Sequence, residues 1–253
     1  MTSRHLLVAL AALLAAAQIL IGPGASAPAE AAEAVSLTCF PHEPTDMVYH
    51  DTWGAARSGG RGHRGTDIMS PKGTEVRAVA DGWVETLKSG PRSGYYIRLV
   101  HEGDWESWYM HLNNDTAGTD DGRGGADAAY AEGLDEGIFV RAGQVIGYVG
   151  DSGNAEWTGS HTHFELHING RAVNPYPYLV DVDEASARLI DLVSSVATLP
   201  AHEVGGAASG ELWGELVAAS TVDCLPDSLK NVIQHLFGEL PSEGVLLTRV
   251  ITR

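Results

Sequence analysis

Three short motifs hold the residues whose types and spacing could do chemistry. The first, GHRGTD at 62–67, separates a histidine from an aspartate by three residues, and the second is YMHL at 109–112. The third, GSHTHFE at 159–165, contains two histidines separated by one residue. Imidazole nitrogens and carboxylate oxygens are ligands that zinc accepts, and histidine also titrates in the range useful for proton transfer. The motifs together predict a metal site with proton-transfer groups beside it.

The third motif suits a β-strand. Residues i and i+2 of a strand share a face, so His161 and His163 would project together. Thr162, Phe164 and Leu166 would then point to the other side, where the two apolar side chains could enter a core. Alone, this pattern is also explained by an ordinary pair of surface histidines.

The first motif could supply the remaining ligands. Gly62 and Gly65 argue against a helix, so the spacing of His63 and Asp67 predicts a turn that enters a strand. His63, Asp67 and one histidine of the third motif would give two histidines and an aspartate, with one position open for water. A purely structural zinc site is disfavoured because such sites usually close the fourth position with Cys or His.

Other polar residues could complete a hydrolytic site. Peptide hydrolysis needs a base for the water proton and a donor for the oxyanion or leaving amine, and His111 and His161 have the chemistry for both. Glu165 is predicted to support His163, with a role as general base as a minor alternative, and His167 is predicted to support the site without binding metal. The histidines predicted to lie outside the site are His42, His50, His101, His202 and His235.

The three motifs resemble those of the lysostaphin/LytM-type zinc endopeptidases, whose pattern is H-x₃-D, a lone His and H-x-H-F-E. The resemblance covers roughly residues 53–178 and departs from the pattern at Thr162, where leucine is common. It implies that His63, Asp67 and His163 bind Zn²⁺ and that His111 and His161 are catalytic. It also implies a duplicated hybrid motif fold and peptidoglycan peptides, in the stem or cross-bridge, as substrate.

A non-hydrolytic role is the main alternative. Some relatives in that family lack the metal residues and act as binding or regulatory modules that activate other cell-wall hydrolases. Because all five motif residues are present in this chain, the sequence favours an enzyme.

The elements that must position these residues read as mainly β. Short β-prone runs alternate with Gly-rich turns, which predicts a compact, largely antiparallel sheet or barrel-sandwich domain with a groove. Hairpins are predicted for 75–80 with 83–87, around Asp81-Gly82, and for 95–100 with 105–110. Residues 73–78 and 137–142 have a weak sequence similarity (echo), as expected of a duplicated β unit. The loop at 113–136 is predicted to be a groove wall, with a disordered insertion as the alternative.

Four segments follow from this pattern: a signal peptide at 1–34, a lead-in at 35–50, a zinc metallopeptidase domain at 51–180 and a helical extension at 181–253. The helical extension is predicted from apolar residues at helical spacing. These are Leu189, Leu192, Val193 and Val196, followed by Leu229, Val232, Ile233, Leu236 and Phe237.

Export is predicted from the first residues. Arg4, the apolar run at 6–21 and small residues with A-x-A patterns are typical of a cleaved signal, with an uncleaved anchor as the alternative. Cys39 and Cys224 could then pair as a disulfide rather than remain free thiols. With 33 acidic against 16 basic residues and a net charge of -17, nonspecific nucleic-acid binding is disfavoured. No stable membrane span is expected after signal cleavage.

Overall fold

The computed structural model describes residues 35–43, 47–197, 224–225 and 230–231. The strands in these segments are β1 (Val48–Tyr49), β2 (Ala56–Arg57), β3 (Arg61–Gly62), β4 (Thr66–Met69), β5 (Glu75–Arg77), β6 (Gly82–Gly90), β7 (Gly94–His101), β8 (Trp105–Leu112), β9 (Phe139–Val140), β10 (Val145–Tyr148), β11 (His161–Ile168) and β12 (Arg171–Val173). The helices are α1 (Gly125–Ala129) and α2 (Tyr176–Ala197), and a 3₁₀ turn covers Gly153–Ala155. The signal predicted at 1–34 lies outside the described residues.

One antiparallel sheet of eight strands dominates the fold. Its order is β1-β4-β11-β8-β7-β6-β9, with β12 paired to β11. Two further sheets of two strands each pair β5 with β10 and β2 with β3. The mainly β, largely antiparallel fold predicted from the sequence is confirmed, and among the described strands the sheets do not close into a barrel.

Alternating burial separates the two faces of the main sheet. On β11, Thr162, Phe164 and Leu166 are fully buried, while the residues between them remain partly accessible. Tyr109 of β8 is also fully buried and packs edge-on against Phe164, with ring centroids 5.4 Å apart. The core therefore fixes β11 and β8 from one side and leaves the opposite face to carry the histidines.

The predicted hairpins had different outcomes. The hairpin of β7 and β8 is confirmed. The hairpin around Asp81-Gly82 is wrong, because β5 pairs with β10 and β6 pairs with β7 and β9. The hydrogen bonding of β5 extends to Ala78, which donates to Gln144 O at 2.9 Å. After Ala78 the chain leaves the β5–β10 sheet and enters the main sheet at β6. Gly82 fits there because a Cβ would lie 2.7 Å from Nδ1 of His101.

The echo between 73–78 and 137–142 corresponds to a structural repeat. Gly73 and Gly137 have nearly equal positive φ angles of 84° and 86°, which favour glycine. Gly73 N donates to Val149 O and Gly137 N donates to Val84 O, each at 2.7 Å. Each valine in turn donates its N–H to the carbonyl of the residue after the glycine, at 2.8 and 2.9 Å. The two segments therefore make the same backbone contacts in different sheets.

The loop at 113–136 packs away from the groove. It contains α1, and Ala131 N donates to Ile146 O of β10 at 3.1 Å. Its Asp115 is 1% exposed and accepts a hydrogen bond from Lys72 at 2.6 Å. The groove is lined by other segments of the described chain, so the prediction of a groove wall here is wrong.

The helical extension predicted from residue 181 onward begins with a long helix, α2. Helix α2 begins at Tyr176, before the boundary predicted at 181, and buries Leu179 and Val182 in the core. The side chains of Leu189, Leu192, Val193 and Val196, and residues 229, 232, 233, 236 and 237, lie outside the described set. Within that set, no helix combines the length and apolarity that a bilayer span requires.

The predicted disulfide is present. Cys39 and Cys224 are bonded, with Cα atoms 5.2 Å apart. The neighbouring Leu225 is 1% exposed. The bond therefore fixes a short segment near the C-terminus to the lead-in of the domain.

Candidate functional site

A groove with a volume of about 670 Å³ runs across the polar face of β11 and β8. The turns around β2 and β3, the turn between β6 and β7, and residues 154–159 line it together with the strands. All five site residues predicted from the sequence line this groove: His63, Asp67, His111, His161 and His163.

Strand register brings three of these residues together. His63 follows β3, Asp67 lies in β4, and β11 places His163 directly opposite Asp67. His63 Nε2 lies 3.0 Å from Asp67 Oδ1 and 2.9 Å from His163 Nδ1. His163 Nδ1 lies 2.8 Å from Asp67 Oδ1. Ligand atoms from two segments of the chain, with His63 and His163 separated by 100 positions, therefore meet at one point.

Hydrogen bonds on the far side of each ring indicate which nitrogen carries the proton. His63 Nδ1 lies 3.1 Å from Thr52 O, which can only accept, so the proton belongs on Nδ1. His163 Nε2 lies 3.1 Å from Glu165 Oε1, which assigns its proton to Nε2 in the same way. In the neutral rings, two lone pairs and a carboxylate oxygen then face one another, an arrangement that a cation would stabilise. The three residues thus fit a metal ion, and their ligand atoms all lie within 4.8 Å of one another.

Charge in the cluster favours the ionised carboxylate. Burial alone would raise the pKa of Asp67, but hydrogen bonds and positive charge from His163 and His63, when these rings are protonated, hold it well below its usual range. Burial alone would lower the pKa of His163, and the hydrogen bonds to Asp67 and Glu165 reverse the direction and raise it. Asp67 therefore offers a full negative charge at neutral pH.

A second row of contacts lies behind His163. Glu165 Oε2 lies 2.6 Å from His167 Nε2, so the carboxylate joins the two imidazoles. The ring of His167 stacks on Trp108 at 4.7 Å with 10° between the planes. These contacts fix the orientation of the His163 ring.

Two contacts of the cluster were not predicted from the sequence. Thr52 holds His63 through both its carbonyl and its hydroxyl, which lies 2.9 Å from Nδ1. Arg57 donates to Asp67 Oδ2 at 2.5 Å and so leaves Oδ1 to face the histidines. Neither residue lies in a chemical motif, and only the folding of β2 against β3 brings Arg57 to the site.

His111 and His161 lie beside the cluster, with ring centroids 5.1 Å apart. His111 Nδ1 donates to Ser152 O at 2.9 Å, and His161 Nδ1 donates to Gly159 O at 2.8 Å. Each ring therefore keeps a free lone pair on Nε2. Burial, and then the neighbouring charge of His161, lower the pKa of His111 to about 4.

A β-bulge turns His111 towards the groove. Tyr95 pairs with Leu112 and Ile97 pairs with Tyr109, so β8 has one more residue than β7 in this interval. His111 has φ of 61°, and its N–H donates to Ser93 O at 2.9 Å. Strict alternation would point His111 into the core, but with the bulge Leu112 takes the core position, and His111, although only 8% exposed, lines the groove.

The remaining histidines differ in setting. His42 is buried between Ser70 Oγ at 2.8 Å and Thr162 Oγ1 at 2.9 Å, and burial lowers its pKa to about 3. His101 is also buried, with its pKa lowered to about 4 by burial. Both stabilise the core side of the sheet and do not line the groove. His50 is exposed, and His202 and His235 lie outside the described residues.

Comparison with known proteins identifies this architecture. Residues 61–122 and 126–175, which contain all five site residues, match the model of peptidase family M23. The matched region is therefore similar to peptidase family M23. This match confirms the resemblance drawn from the three motifs.

The curated relatives that match this region are longer proteins. The chain is 38% identical over 132 residues to the DD-carboxypeptidase/endopeptidase Mpg of Neisseria meningitidis serogroup B, covering 49% of this chain and 26% of that protein. It is 33% identical over 146 residues to the L-Ala–D-Glu endopeptidase of Bacillus subtilis, covering 53% of this chain and 40% of that protein. The match thus spans less than half the length of either relative.

Among solved structures, the catalytic domain of lysostaphin from Staphylococcus simulans is 28% identical and superposes with a TM-score of 0.42. The superposition covers 53% of this chain and 92% of that domain.

Proposed function

We propose that the M23-like domain is a zinc-dependent endopeptidase that hydrolyses peptide bonds of bacterial peptidoglycan outside the cytoplasm. The observation that carries the proposal is the convergence of His63 Nε2, His163 Nδ1 and Asp67 Oδ1 in a groove beside two further histidines. The relatives named for cutting peptidoglycan peptides, and a disulfide suited to an oxidising compartment, support the substrate and the location.

Zinc is the metal that this donor set suits best. Two imidazoles and one carboxylate are typical of catalytic zinc sites with an open fourth position. Bound there, zinc would polarise a peptide carbonyl and lower the pKa of a water molecule towards about 7.

The chain's own residues would handle the protons. His161 Nε2 lies 3.9 Å from Asp67 Oδ1, so its free lone pair faces the cluster. His111 is neutral at pH 7, and its Nε2 is likewise free. One imidazole can take the proton of the attacking water, and a protonated imidazole can donate to the oxyanion or leaving amine.

The test is hydrolysis of purified cell walls by the purified protein. We expect new peptide ends, with free amino groups and carboxylates that mass spectrometry of the released fragments locates. Treatment with a chelator should stop their release, and added zinc should restore it. Protein with zinc verified as bound that releases no peptide ends would contradict the proposal.

The Glu165→Gln substitution is expected to weaken zinc binding about 10- to 100-fold. An amide cannot accept from both His163 and His167 as the carboxylate does, so the His163 ring loses its fixed orientation. Zinc affinity is measured by competition with a chelator of known affinity. His167→Gln is the matched control. It leaves the Glu165–His163 contact intact and should weaken zinc binding less than Glu165→Gln does. Equal zinc affinity in Glu165→Gln and the unmodified protein would contradict this role.

A further inference from the structure

The groove is cationic in a chain that is otherwise strongly acidic. The chain has 33 acidic and 16 basic residues, yet four arginines line the groove: Arg57, Arg61, Arg64 and Arg92. The acidic residues that line it are Asp67 and Glu165, and both are already bonded to the histidines of the cluster. Among the described residues, no other acidic side chain lines the groove.

Two of these arginines have guanidinium groups without a hydrogen-bond or ion-pair partner among the described residues. Arg57 is bonded to Asp67, and Arg61 Nε donates to Ser58 O at 3.2 Å. Arg64 and Arg92 are exposed, and within residues 35–43 and 47–197 no carboxylate lies within ion-pair distance of either.

Two arginines that are buried or half-buried away from the groove are paired with carboxylates, whereas the exposed Arg123 and Arg171 have no ion pair within the described residues. Arg77 contacts both Glu43 and Glu75, and Arg98 contacts Glu85 and Glu106. With acidic residues in twofold excess, nearby carboxylates could have been placed beside the groove as well. Their absence around Arg64 and Arg92, in the part of the chain described, leaves two guanidinium groups free for a ligand.

The two free arginines adjoin the reacting groups from different segments. Arg64 follows His63 directly in the chain. Arg92 lies in the turn between β6 and β7, where its carbonyl accepts from Asn154 N at 3.2 Å. The next residue, Ser93, accepts from the N–H of His111 at 2.9 Å, so this turn is tied to the bulge. A peptide bond held between the metal cluster and His111 would therefore lie in the same groove as both arginine side chains.

We propose that Arg64 and Arg92 bind a free carboxylate of the substrate next to the bond that is cut. The inference rests on the proposed endopeptidase function and narrows its substrate class to acidic peptides. Arginine suits this role because its planar group can make two parallel hydrogen bonds to a carboxylate. In peptidoglycan, the γ-linked glutamate of the stem peptide carries such a carboxylate, whereas a bridge of glycine residues does not. The arginines thus favour cleavage within the stem peptide.

The experiment compares two peptides that differ in one group. Both contain the stem sequence, one with a free α-carboxylate on the γ-linked glutamate and the other with a carboxamide there. Zinc-loaded protein should have a kcat/KM on the order of 10-fold higher for the carboxylate peptide at low salt, since a charge-assisted hydrogen bond is lost in the amide. The preference should shrink as salt is raised.

The Arg64→Gln/Arg92→Gln protein should lose this preference, with a kcat/KM ratio close to one and zinc content unchanged. Arg171→Gln is the matched control, since Arg171 is exposed on β12 and does not line the groove. It should keep the full preference. A ratio near one in the unmodified protein, or an unchanged ratio in the double variant, would overturn the inference.

A binding measurement separates this inference from the proposed function. Affinities of both peptides are measured for chelator-treated protein, where neither cleavage nor attraction to the metal contributes. Tighter binding of the carboxylate peptide, lost in the double variant, would support the arginines even if neither peptide were cleaved. Cleavage of both peptides at the same rate, with equal binding, would leave the endopeptidase proposal intact and reject the role of the arginines.

Discussion

Replacing His63 by alanine is expected to remove zinc and hydrolysis together. His63 is 3% exposed, and its Nε2 is one of only three ligand atoms in the cluster. With two ligands left, the facing lone pair of His163 and the charge of Asp67 no longer enclose a cation. Zinc content measured by metal analysis, and peptide ends released from cell walls, should both fall to the level of chelator-treated protein.

A matched substitution makes this result specific. His50→Ala removes an exposed histidine outside the groove and should leave zinc content and hydrolysis unchanged. The secondary structure of both variants is compared by circular dichroism. A His63→Ala protein that kept its role in cells without zinc would instead be a binding or regulatory module.

The meeting of His63, Asp67 and His163 could be anticipated from the sequence because β11 has a local signal. The alternation of β11 is visible in the chain, where two histidines interleave with residues that are apolar or fully buried. The turn into β4 is likewise signalled by the glycines around His63. What the pattern alone left open was which histidine of the pair joins Asp67, because that depends on the register of β4 and β11.

The pairing of strands was harder to predict. Asp81-Gly82 is a common hairpin signal, but Gly82 is required here by the close approach of His101. Local sequence does not distinguish a glycine that turns the chain from one that makes room for a distant side chain. The same limit applies to Thr52 and Arg57, whose contacts depend on the packing of neighbouring segments.

Gly65 illustrates a residue whose role only the structure explains. A Cβ at this position would lie 2.8 Å from His163 Nε2 and even closer to the carbonyl oxygen of Phe164. Glycine is therefore required at this position to make room for the His163 ring, in addition to forming the turn predicted from the sequence.

The bulge at His111 was not predicted because a regular strand was expected there. Positive φ is uncommon for residues other than glycine, although asparagine tolerates it well. The bulge therefore holds an unfavourable backbone conformation where it directs an imidazole into the groove. This conformation also determines which substitution tests the residue cleanly.

The His111→Asn substitution is expected to lower kcat about 10²- to 10⁴-fold while zinc content stays unchanged, because proton transfer is lost and the ligands are not. Asparagine accepts the left-handed backbone at this position, so the bulge is kept. His111→Ala would add backbone strain to the loss of the imidazole, and the two effects would be mixed. Steady-state kinetics on a stem peptide, with zinc content measured in the same samples, gives both quantities.

The comparison with His63→Ala is what assigns His111 to catalysis. Both variants should hydrolyse poorly, but only His111→Asn should retain the metal and the unfolding temperature that zinc confers. Loss of zinc in His111→Asn would instead make this residue part of the metal site. Full activity with zinc bound would leave His161, whose Nε2 faces Asp67 from 3.9 Å, as the residue that moves the proton.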